Sequence, residues 1–334
     1  MLRRLISHHL LRTIVAASII AASLLDYTRT NAQEPKTKIR IANSAMSVTS
    51  LALLAAREWK RFSERGLEAE IILMSPAITV PAMIAGEIDY FAGVGPGVAS
   101  ASLSGLPFRA VWVSSDKVSY SLVANPKFKT LQELRGKKIG VTGSLGATNH
   151  VSLVIALEKL GMSPKHFNIL ALPPTEMLRS LESGFLDAAS LNPPTLFLAL
   201  KRGFPNILDI GSLVEMPGGG LTVLAKDIKG KPDEVKRVIR AMQTAKDAMR
   251  KSKDKSVELM MRILKMDQES AALTYEVFLK TLSIDGVPTR AGMDNLVKSI
   301  QAQGRFVDKK PTFSDVADDR LAKEVARELG YKVQ

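Results

Sequence analysis

The chain has 334 residues, a formal net charge of +13 at neutral pH, 46% hydrophobic residues and no cysteine. This length and apolar content suffice for two globular lobes with their own cores, and they argue against a disordered or fibrous chain. The absence of cysteine excludes a disulfide framework and thiolate catalysis. The basic residues are mixed with acidic ones and lack interleaved aromatic residues, so we predict solvated helix faces and no nucleic-acid partner.

A short apolar segment near the N-terminus predicts export. Three arginines precede the apolar run Thr13–Leu25, and small residues follow it up to Ala32. This order is typical of a secretory signal peptide, and the run would span only about 20 Å of helix against a hydrocarbon core of about 30 Å. We therefore expect residues 1–32 to be removed and a periplasmic protein to begin near Gln33. A retained membrane anchor is the alternative.

The next part of the chain predicts strands that alternate with helices. An extended stretch, Ile39–Ala45, is followed by the amphipathic segment Met46–Arg65, which Gly66 ends, and by a second extended stretch, Glu70–Pro76. Alternation of this kind predicts an α/β fold with parallel sheets.

The same skeleton returns at an offset of 98 residues. Residues with an identical partner at this offset include Gly86, Asp89, Pro96, Gly105 and Pro107, and their partners are Gly184, Asp187, Pro194, Gly203 and Pro205. We therefore predict that Ile41–Trp112 and Ile139–Ile210 are two copies of one unit.

The repeated residues have a structural interpretation. Glycine caps helix ends, proline prevents a helix from continuing, and Asp89 and Asp187 begin the next strand of each copy. A catalytic pair of carboxylates is the alternative. It is disfavoured because a helix C-terminus entering a strand lies at the sheet edge opposite the usual ligand crevice.

Two extended segments join the copies, one within Val118–Lys138 and one within Gly218–Asp227. A chain that enters a second lobe and returns must cross twice, so we predict duplicated parallel-sheet lobes joined by two crossover strands. The predicted domains are residues 36–120 with 222–334 for lobe one and 121–221 for lobe two.

The chain is predicted to be helical after Lys231. Pro232–Met249 begins with proline and has acidic residues in its first turn, as helix N-termini often do. We expect these tail helices to pack on lobe one.

Ligands of open parallel sheets bind beyond the carboxyl ends of the strands, where helix N-termini offer unpaired N–H groups. The candidate ligand-binding residues lie on these turns and near them: Asn43, Ser44, Met46, Ser47, Val94, Gly95, Ser114, Ser115, Thr142, Gly143, Ser144, Leu145, Gly146, Thr148, Asn192, Pro193 and Met216. Hydroxyl groups that only cap their helices are the alternative.

The candidate site predicts an organic ligand. No arginine lies on the predicted turns, which argues against a small, fully charged anion such as nitrate. Met46, Tyr120 and Met216 could supply an apolar wall, whereas Trp112 is predicted to lie in the core. We expect a compact organic molecule with one polar or acidic end, and neither a metal nor a cofactor.

These features resemble the periplasmic solute-binding proteins of ABC importers, in the branch that serves nitrate, sulfonates, taurine and thiamine-pyrimidine precursors. The resemblance extends from Lys38 to Phe306. The stretches that carry it are Ser63–Met74, Ala85–Gly93, Leu131–Thr148 and Lys231–Met242. It implies a two-lobed periplasmic-binding-protein fold of type II and marks the loop Thr142–Thr148 as the usual place for a polar or acidic ligand group. It also implies a monomer that delivers its ligand to an ABC permease at the inner membrane.

Two alternative functions remain open. One alternative is an enzyme, because the thiamine-pyrimidine branch includes enzymes with a cysteine-rich site. This chain has no cysteine and no familiar hydrolase, metalloprotease or nucleotide-binding motif. His150 and His166 are predicted to be surface or helix-start residues. A receptor subunit that reports to a membrane sensor would use the same closing lobes. In each case we expect closure about Tyr120–Ala124 and Leu221–Ala225.

Overall fold

The computed structural model describes residues 36–333, and residues 38–333 belong to one compact unit. The predicted signal peptide and the predicted start of the mature chain lie outside the described residues. Within residues 36–333, no helix is both long enough and apolar enough to cross a bilayer.

Ten strands in the described part of the chain form two sheets. The first sheet has the order β2-β1-β3-β10-β4 and the second has the order β7-β6-β8-β5-β9. The strands are β1 (Thr37–Asn43), β2 (Leu67–Leu73), β3 (Tyr90–Phe91), β4 (Phe108–Lys117), β5 (Ser121–Ala124), β6 (Lys138–Thr142), β7 (Asn168–Leu172), β8 (Ala188–Leu191), β9 (Asn206–Asp209) and β10 (Glu215–Leu224).

Helices surround both sheets. In chain order they are α1 (Leu51–Glu58), α2 (Pro76–Ala85), α3 (Pro96–Leu103), α4 (Thr148–Lys159), α5 (Pro174–Glu182), α6 (Thr195–Lys201), α7 (Ile210–Leu213), α8 (Ala225–Gly230), α9 (Pro232–Lys251), α10 (Lys253–Leu264), α11 (Gln268–Thr281), α12 (Arg290–Gln301), α13 (Phe313–Val316) and α14 (Arg320–Glu328). Short 3-10 helices occur at Val48–Ser50, Ser63–Arg65, Gln132–Leu134 and Pro164–His166.

The two sheets confirm the duplicated unit. Both orders place the second, first and third strands of a copy side by side, then the crossover strand, then the fourth strand. The registers also agree, because Ile41 of β1 lies opposite Tyr90 of β3 and Ile139 of β6 lies opposite Ala188 of β8. Each residue of the second pair is 98 positions after its counterpart in the first.

The repeated aspartates anchor the start of a strand in each copy. The Arg40 N–H donates to Asp89 Oδ2 at 2.8 Å, and the Lys138 N–H donates to Asp187 Oδ2 at 3.1 Å. The repeated glycines that follow α2 and α5, Gly86 and Gly184, have φ of 78° and 74°, a region that favours glycine. The shared skeleton thus serves strand pairing and helix ends.

The prediction of parallel sheets is wrong in one respect, because both sheets are mixed. β10 runs antiparallel to β3 and β4, and β5 runs antiparallel to β8 and β9. The chain reaches β5 from the first sheet and β10 from the second sheet. Each of these two crossover strands runs antiparallel to its neighbours in the sheet that it joins. Within each copy, β1 pairs with β3, and β6 pairs with β7 and β8, in the parallel sense that was expected.

The chain crosses between the sheets at residues 118–120 and 210–214. β10 begins at Glu215, which lies opposite Lys117 at the end of β4, so the return strand joins the first sheet before residue 222. The segments in which we expected the hinge, Tyr120–Ala124 and Leu221–Ala225, largely coincide with β5 and with the end of β10.

The C-terminal helices contact both halves of the molecule. Helix α9 extends over Pro232–Lys251, which confirms the predicted helix, and its buried face packs with α1 in the core of the first sheet. Farther along the chain, Glu269 of α11 forms an ion pair of 2.7 Å with Lys201 of α6. Residues of α12 share a core cluster with residues of β6 and α4. The tail therefore packs on lobe one and also reaches the second sheet.

A lysine lies in the interior of the first half. Lys246 of α9 is 1% exposed, its Nζ donates to the Ser283 carbonyl at 2.6 Å, and it lies 5.2 Å from the centre of the Trp112 ring. Trp112 is buried in the core, as predicted, and its Nε1 donates to Gln243 at 2.9 Å. Burial lowers the pKa of Lys246 to about 8 and raises the pKa of the nearby Asp116 to about 6.

The segment bound by this lysine lies against β4. The Ser283 N–H donates to the Ser114 carbonyl at 3.1 Å, and the Val113 N–H donates to the Gly286 carbonyl at 2.9 Å. Lys246 therefore fixes a loop that supports β4 close to the point where the chain leaves the first sheet.

Candidate ligand-binding cleft

A cleft of about 500 Å³ lies between the two halves of the molecule. The first half contributes the ends of β1 and β3, the loop into α3 and part of β10. The second half contributes the loop between β6 and α4. The end of α12 and the residues that follow it close one side.

Eight of the predicted ligand-binding residues line this cleft. They are Asn43, Ser44, Val94, Gly95, Ser144, Leu145, Gly146 and Thr148. They come from the turns after β1, β3 and β6, so the carboxyl ends of these strands meet at the cleft.

The other predicted residues lie elsewhere. Met216 of β10 is fully buried in a core cluster that also contains residues of α12, and it does not line the cleft. Ser114 and Ser115 are buried on β4 and line a separate cavity of about 20 Å³. The remaining ones, which are absent from the cleft lining, are Met46, Ser47, Thr142, Gly143, Asn192 and Pro193.

Several lining residues have no counterpart in the predicted set. Gln303 and Arg305 follow α12, and Gly218 and Gly219 lie on β10. Tyr120, which was predicted as part of an apolar wall, lies just before β5 and also lines the cleft. The others are Thr49, Phe91, Ala92, Gly93, Pro96, Gly97, Val98, Ser100, Ala147 and Ile300. The dense glycines of Gly93–Gly97 were a usable signal, whereas nothing local marks the residues after α12.

Two helix N-termini face each other across the cleft. Gly95 is the N-cap residue of α3, and a β-carbon on it would lie 3.6 Å from Thr148 Oγ1, at the first residue of α4. The first turn of a helix has N–H groups without intrahelical acceptors and carries partial positive charge. A bound anion could accept hydrogen bonds from both halves at once.

The loop before α4 is held from two directions at Gly146. The Gly146 N–H donates to His150 Nδ1 at 2.9 Å, and Gln303 Nε2 donates to the Gly146 carbonyl at 3.4 Å. Gly146 has φ of 90°, a region that favours glycine, and a β-carbon there would displace the end of the Gln303 side chain. Burial lowers the pKa of His150, which favours the neutral ring that accepts this bond.

The charges at the cleft favour an anion. Arg305 is exposed and lies 5.3 Å from the Phe306 ring, and it forms no ion pair with the carboxylates of residues 36–333. Among the lining residues that the structure describes, none is acidic. Burial raises the pKa of Tyr120 to about 12, so its phenol stays neutral and can donate a hydrogen bond. An arginine is thus available, although the predicted turns contain none.

No metal centre is evident in the described range, where no group of three or more His, Asp or Glu side chains could hold a metal ion. The polar groups of the cleft are instead backbone N–H groups, hydroxyls, an amide and a guanidinium. These groups suit recognition of a polar or acidic ligand.

The architecture defines the class of fold as that of the two-lobed periplasmic binding proteins. The periplasmic aliphatic sulphonate binding protein SsuA from Escherichia coli superposes with a TM-score of 0.71 and 18% identity, over 84% of this chain and 92% of that one. The periplasmic nitrate-binding protein NrtA from Synechocystis PCC 6803 gives a TM-score of 0.66 and 14% identity, over 88% and 89% of the two chains.

The sequence comparisons show the family. The model of the NMT1/THI5-like family matches residues 48–256, and the chain belongs to that family. A protein of Bacillus subtilis named for binding aliphatic sulfonates is 24% identical over 84% of this chain and 86% of its own length. A binding protein of Brucella abortus is 27% identical over 66% of this chain and 69% of its own length.

Proposed function

We propose that this chain is an extracytoplasmic solute-binding protein that captures a small organic anion between two lobes and delivers it to an ABC import permease. The observation that carries the proposal is the cleft itself, where two helix N-termini from different halves meet beside Arg305. A ligand with one acidic group would gain hydrogen bonds from both halves and would lose them if the halves separated.

The relatives support an organic acid as the ligand. The names of the Bacillus subtilis protein and of SsuA refer to aliphatic sulfonates. The cleft adds apolar surface from Phe91, Val94 and Leu145 next to its polar groups. We infer that the ligand carries a sulfonate or carboxylate at one end and a compact apolar body at the other.

Closure of the lobes is the proposed mechanism. We place lobe one at residues 36–117 and 215–333 and lobe two between them, since the sheets divide the chain there. The crossing segments 118–120 and 210–214 would then act as the hinge. Small-angle scattering should show a smaller radius of gyration with saturating ligand. An unchanged radius would contradict closure.

Ligand identity is tested by a thermal-shift screen of sulfonates, carboxylates and pyrimidines, followed by calorimetry on each compound that stabilises the protein. Ser144→Leu places a bulky side chain in the cleft and should weaken binding at least tenfold. Ser183→Leu, on an exposed turn after α5, is the matched control and should bind like the unmodified protein. Equal affinity of both variants would show that the ligand does not occupy this cleft.

An enzymatic alternative has one supporting observation. The desulfurization enzyme DszB has the same fold, with a TM-score of 0.62 and 14% identity. A turnover assay on every compound that binds tests this alternative, because a solute-binding protein should return its ligand unchanged.

Location and assembly complete the proposal. We expect a periplasmic monomer whose signal peptide has been removed. The intact mass of the protein from a periplasmic extract should lack residues 1–32. Sedimentation at micromolar concentration should give a single species with the mass of one chain.

A further inference from the structure

A second concave site adjoins the cleft. It has a volume of about 670 Å³ and lies between α4 and α12, with the 3-10 turn at Pro164–His166 at one end. We call it the adjoining groove. It is larger than the cleft, and among the described residues Gln303 belongs to the walls of both.

One wall of the adjoining groove is apolar. Val151, Val154 and Ile155 project from successive turns of α4 towards it. Val151 is buried, but Val154 and Ile155 remain partly exposed. A partly exposed apolar wall in a concave site favours an occupant with apolar surface, because binding removes both surfaces from water.

The rim of the adjoining groove is basic. Lys159, Lys165 and Lys298 line it together with one carboxylate, that of Glu158. Lys159 donates to the Leu213 carbonyl at 2.8 Å. Lys165 and Lys298 are exposed and form no ion pair within 4.0 Å to the carboxylates of residues 36–333. The charge of this rim is complementary to an anion.

Neither feature alone would define the ligand. An inorganic anion would leave the apolar wall uncovered, and a neutral apolar molecule would make no use of the lysines. We propose that the adjoining groove is a second binding site, for a small organic anion whose apolar body contacts Val154 and Ile155 and whose acidic group is held by Lys165 and Lys298.

The position of the adjoining groove links it to the cleft. His150 lines the groove and accepts the Gly146 N–H, while Gly146 lines the cleft. Gln303 bonds the Gly146 carbonyl from the α12 side. The two side chains that hold the cleft loop therefore also belong to the groove, and any coupling between the two sites is reciprocal.

The test uses the fluorescent anion 8-anilinonaphthalene-1-sulfonate, with the neutral N-phenyl-1-naphthylamine as the uncharged comparison. Every protein carries Arg305→Glu, so that binding of the sulfonate in the cleft is suppressed. We expect the anion to bind this background, and we expect Lys165→Glu with Lys298→Glu to weaken its binding at least tenfold. Binding of the neutral dye should be weaker and should not change.

The matched control carries Lys229→Glu with Lys280→Glu, which reverses two exposed lysines outside the groove, and it should bind the anion like the background. The proposal is overturned if the background does not bind the anion, if both double variants bind it equally, or if the neutral dye binds as tightly as the anion. A dimer in sedimentation that dissociates in the Lys165→Glu, Lys298→Glu protein would also overturn it, since a second copy would then cover the groove.

Discussion

The buried Lys246 should give the protein an unusual dependence of stability on pH. In the folded chain its pKa is about 8, against 10.5 for an unperturbed lysine. Since the folded-state value is the lower one, the folded chain binds fewer protons than the unfolded chain between these pH values. The free energy of unfolding must therefore rise as pH increases through this window.

The size of the rise follows from the two pKa values. The whole difference corresponds to about 3 kcal/mol, of which about 2 kcal/mol falls between pH 8 and pH 10. Other groups with shifted pKa values add their own dependence on pH. The raised pKa of Asp116, about 6, affects stability at acidic pH. Burial raises the pKa of Tyr90, Tyr120, Tyr275 and Tyr331, and these groups act in the opposite direction, lowering stability as pH approaches and passes 10.

The assay is urea denaturation at pH 7, 8, 9 and 10, followed by tryptophan fluorescence. Relative to Lys246→Met, whose side chain does not titrate, the unmodified protein should gain about 2 kcal/mol between pH 8 and pH 10. Lys251→Met, which removes an exposed lysine from the same helix, should keep it. A variant without Lys246 that still shows the full rise would refute this explanation.

Three further predictions concern the cleft. Arg305→Gln removes a charged hydrogen-bond donor, so calorimetry should show binding of an organic anion weakened by about 1.5–3 kcal/mol, or roughly tenfold to a hundredfold. The control Arg179→Gln, on an exposed position of α5, should have no effect. Equal losses in both variants would exclude a direct role of Arg305. Gly95→Val should keep the melting temperature, because Gly95 has an extended backbone that valine can adopt. The same substitution should reduce ligand binding at least tenfold, because the valine side chain would fill the space between Gly95 and α4. Unchanged binding would contradict the proposed position of the ligand in this cleft. Because burial lowers the pKa of His150, the folded chain binds fewer protons here than the unfolded chain, so stability should fall as pH drops below about 6.5. His150→Gln should reduce this fall in thermal melts, and an identical fall in the variant would refute its assignment to His150.

Much of the frame is predictable from sequence because duplication repeats the structural residues at a constant spacing. Asp89 and Asp187 mark the same strand start, and the shared strand order follows from that match. The direction of the crossover strands was not predictable from hydrophobic pattern, because pattern reports burial and not chain direction. The sequence also did not show that Met216 is buried away from the cleft. Neighbouring side chains of a strand point to opposite faces of the sheet, so an error of one residue in the position of the strand places a side chain on the wrong face.

The cleft was predictable where it depends on turns after strands and not where it depends on distant helices. Ser144 and Thr148 follow β6 directly, so the general geometry of parallel strands places them. Arg305 reaches the cleft because α12 packs on β10 and α3, and this contact joins residues far apart in the chain. No local pattern around Arg305 reports such a contact.

The arginine of the cleft lies outside the stretch of the chain that matches the family. The match to the NMT1/THI5-like family ends at residue 256, whereas Gln303 and Arg305 follow it by more than forty positions. If the proposed cleft holds the ligand, a change of charge within residues 300–306 would alter what the ligand meets without a change in the two sheets. Transplanting residues 300–306 between two members of the family should move ligand preference with the segment, which makes it a natural point for evolution or engineering to change what is bound without disturbing the two sheets.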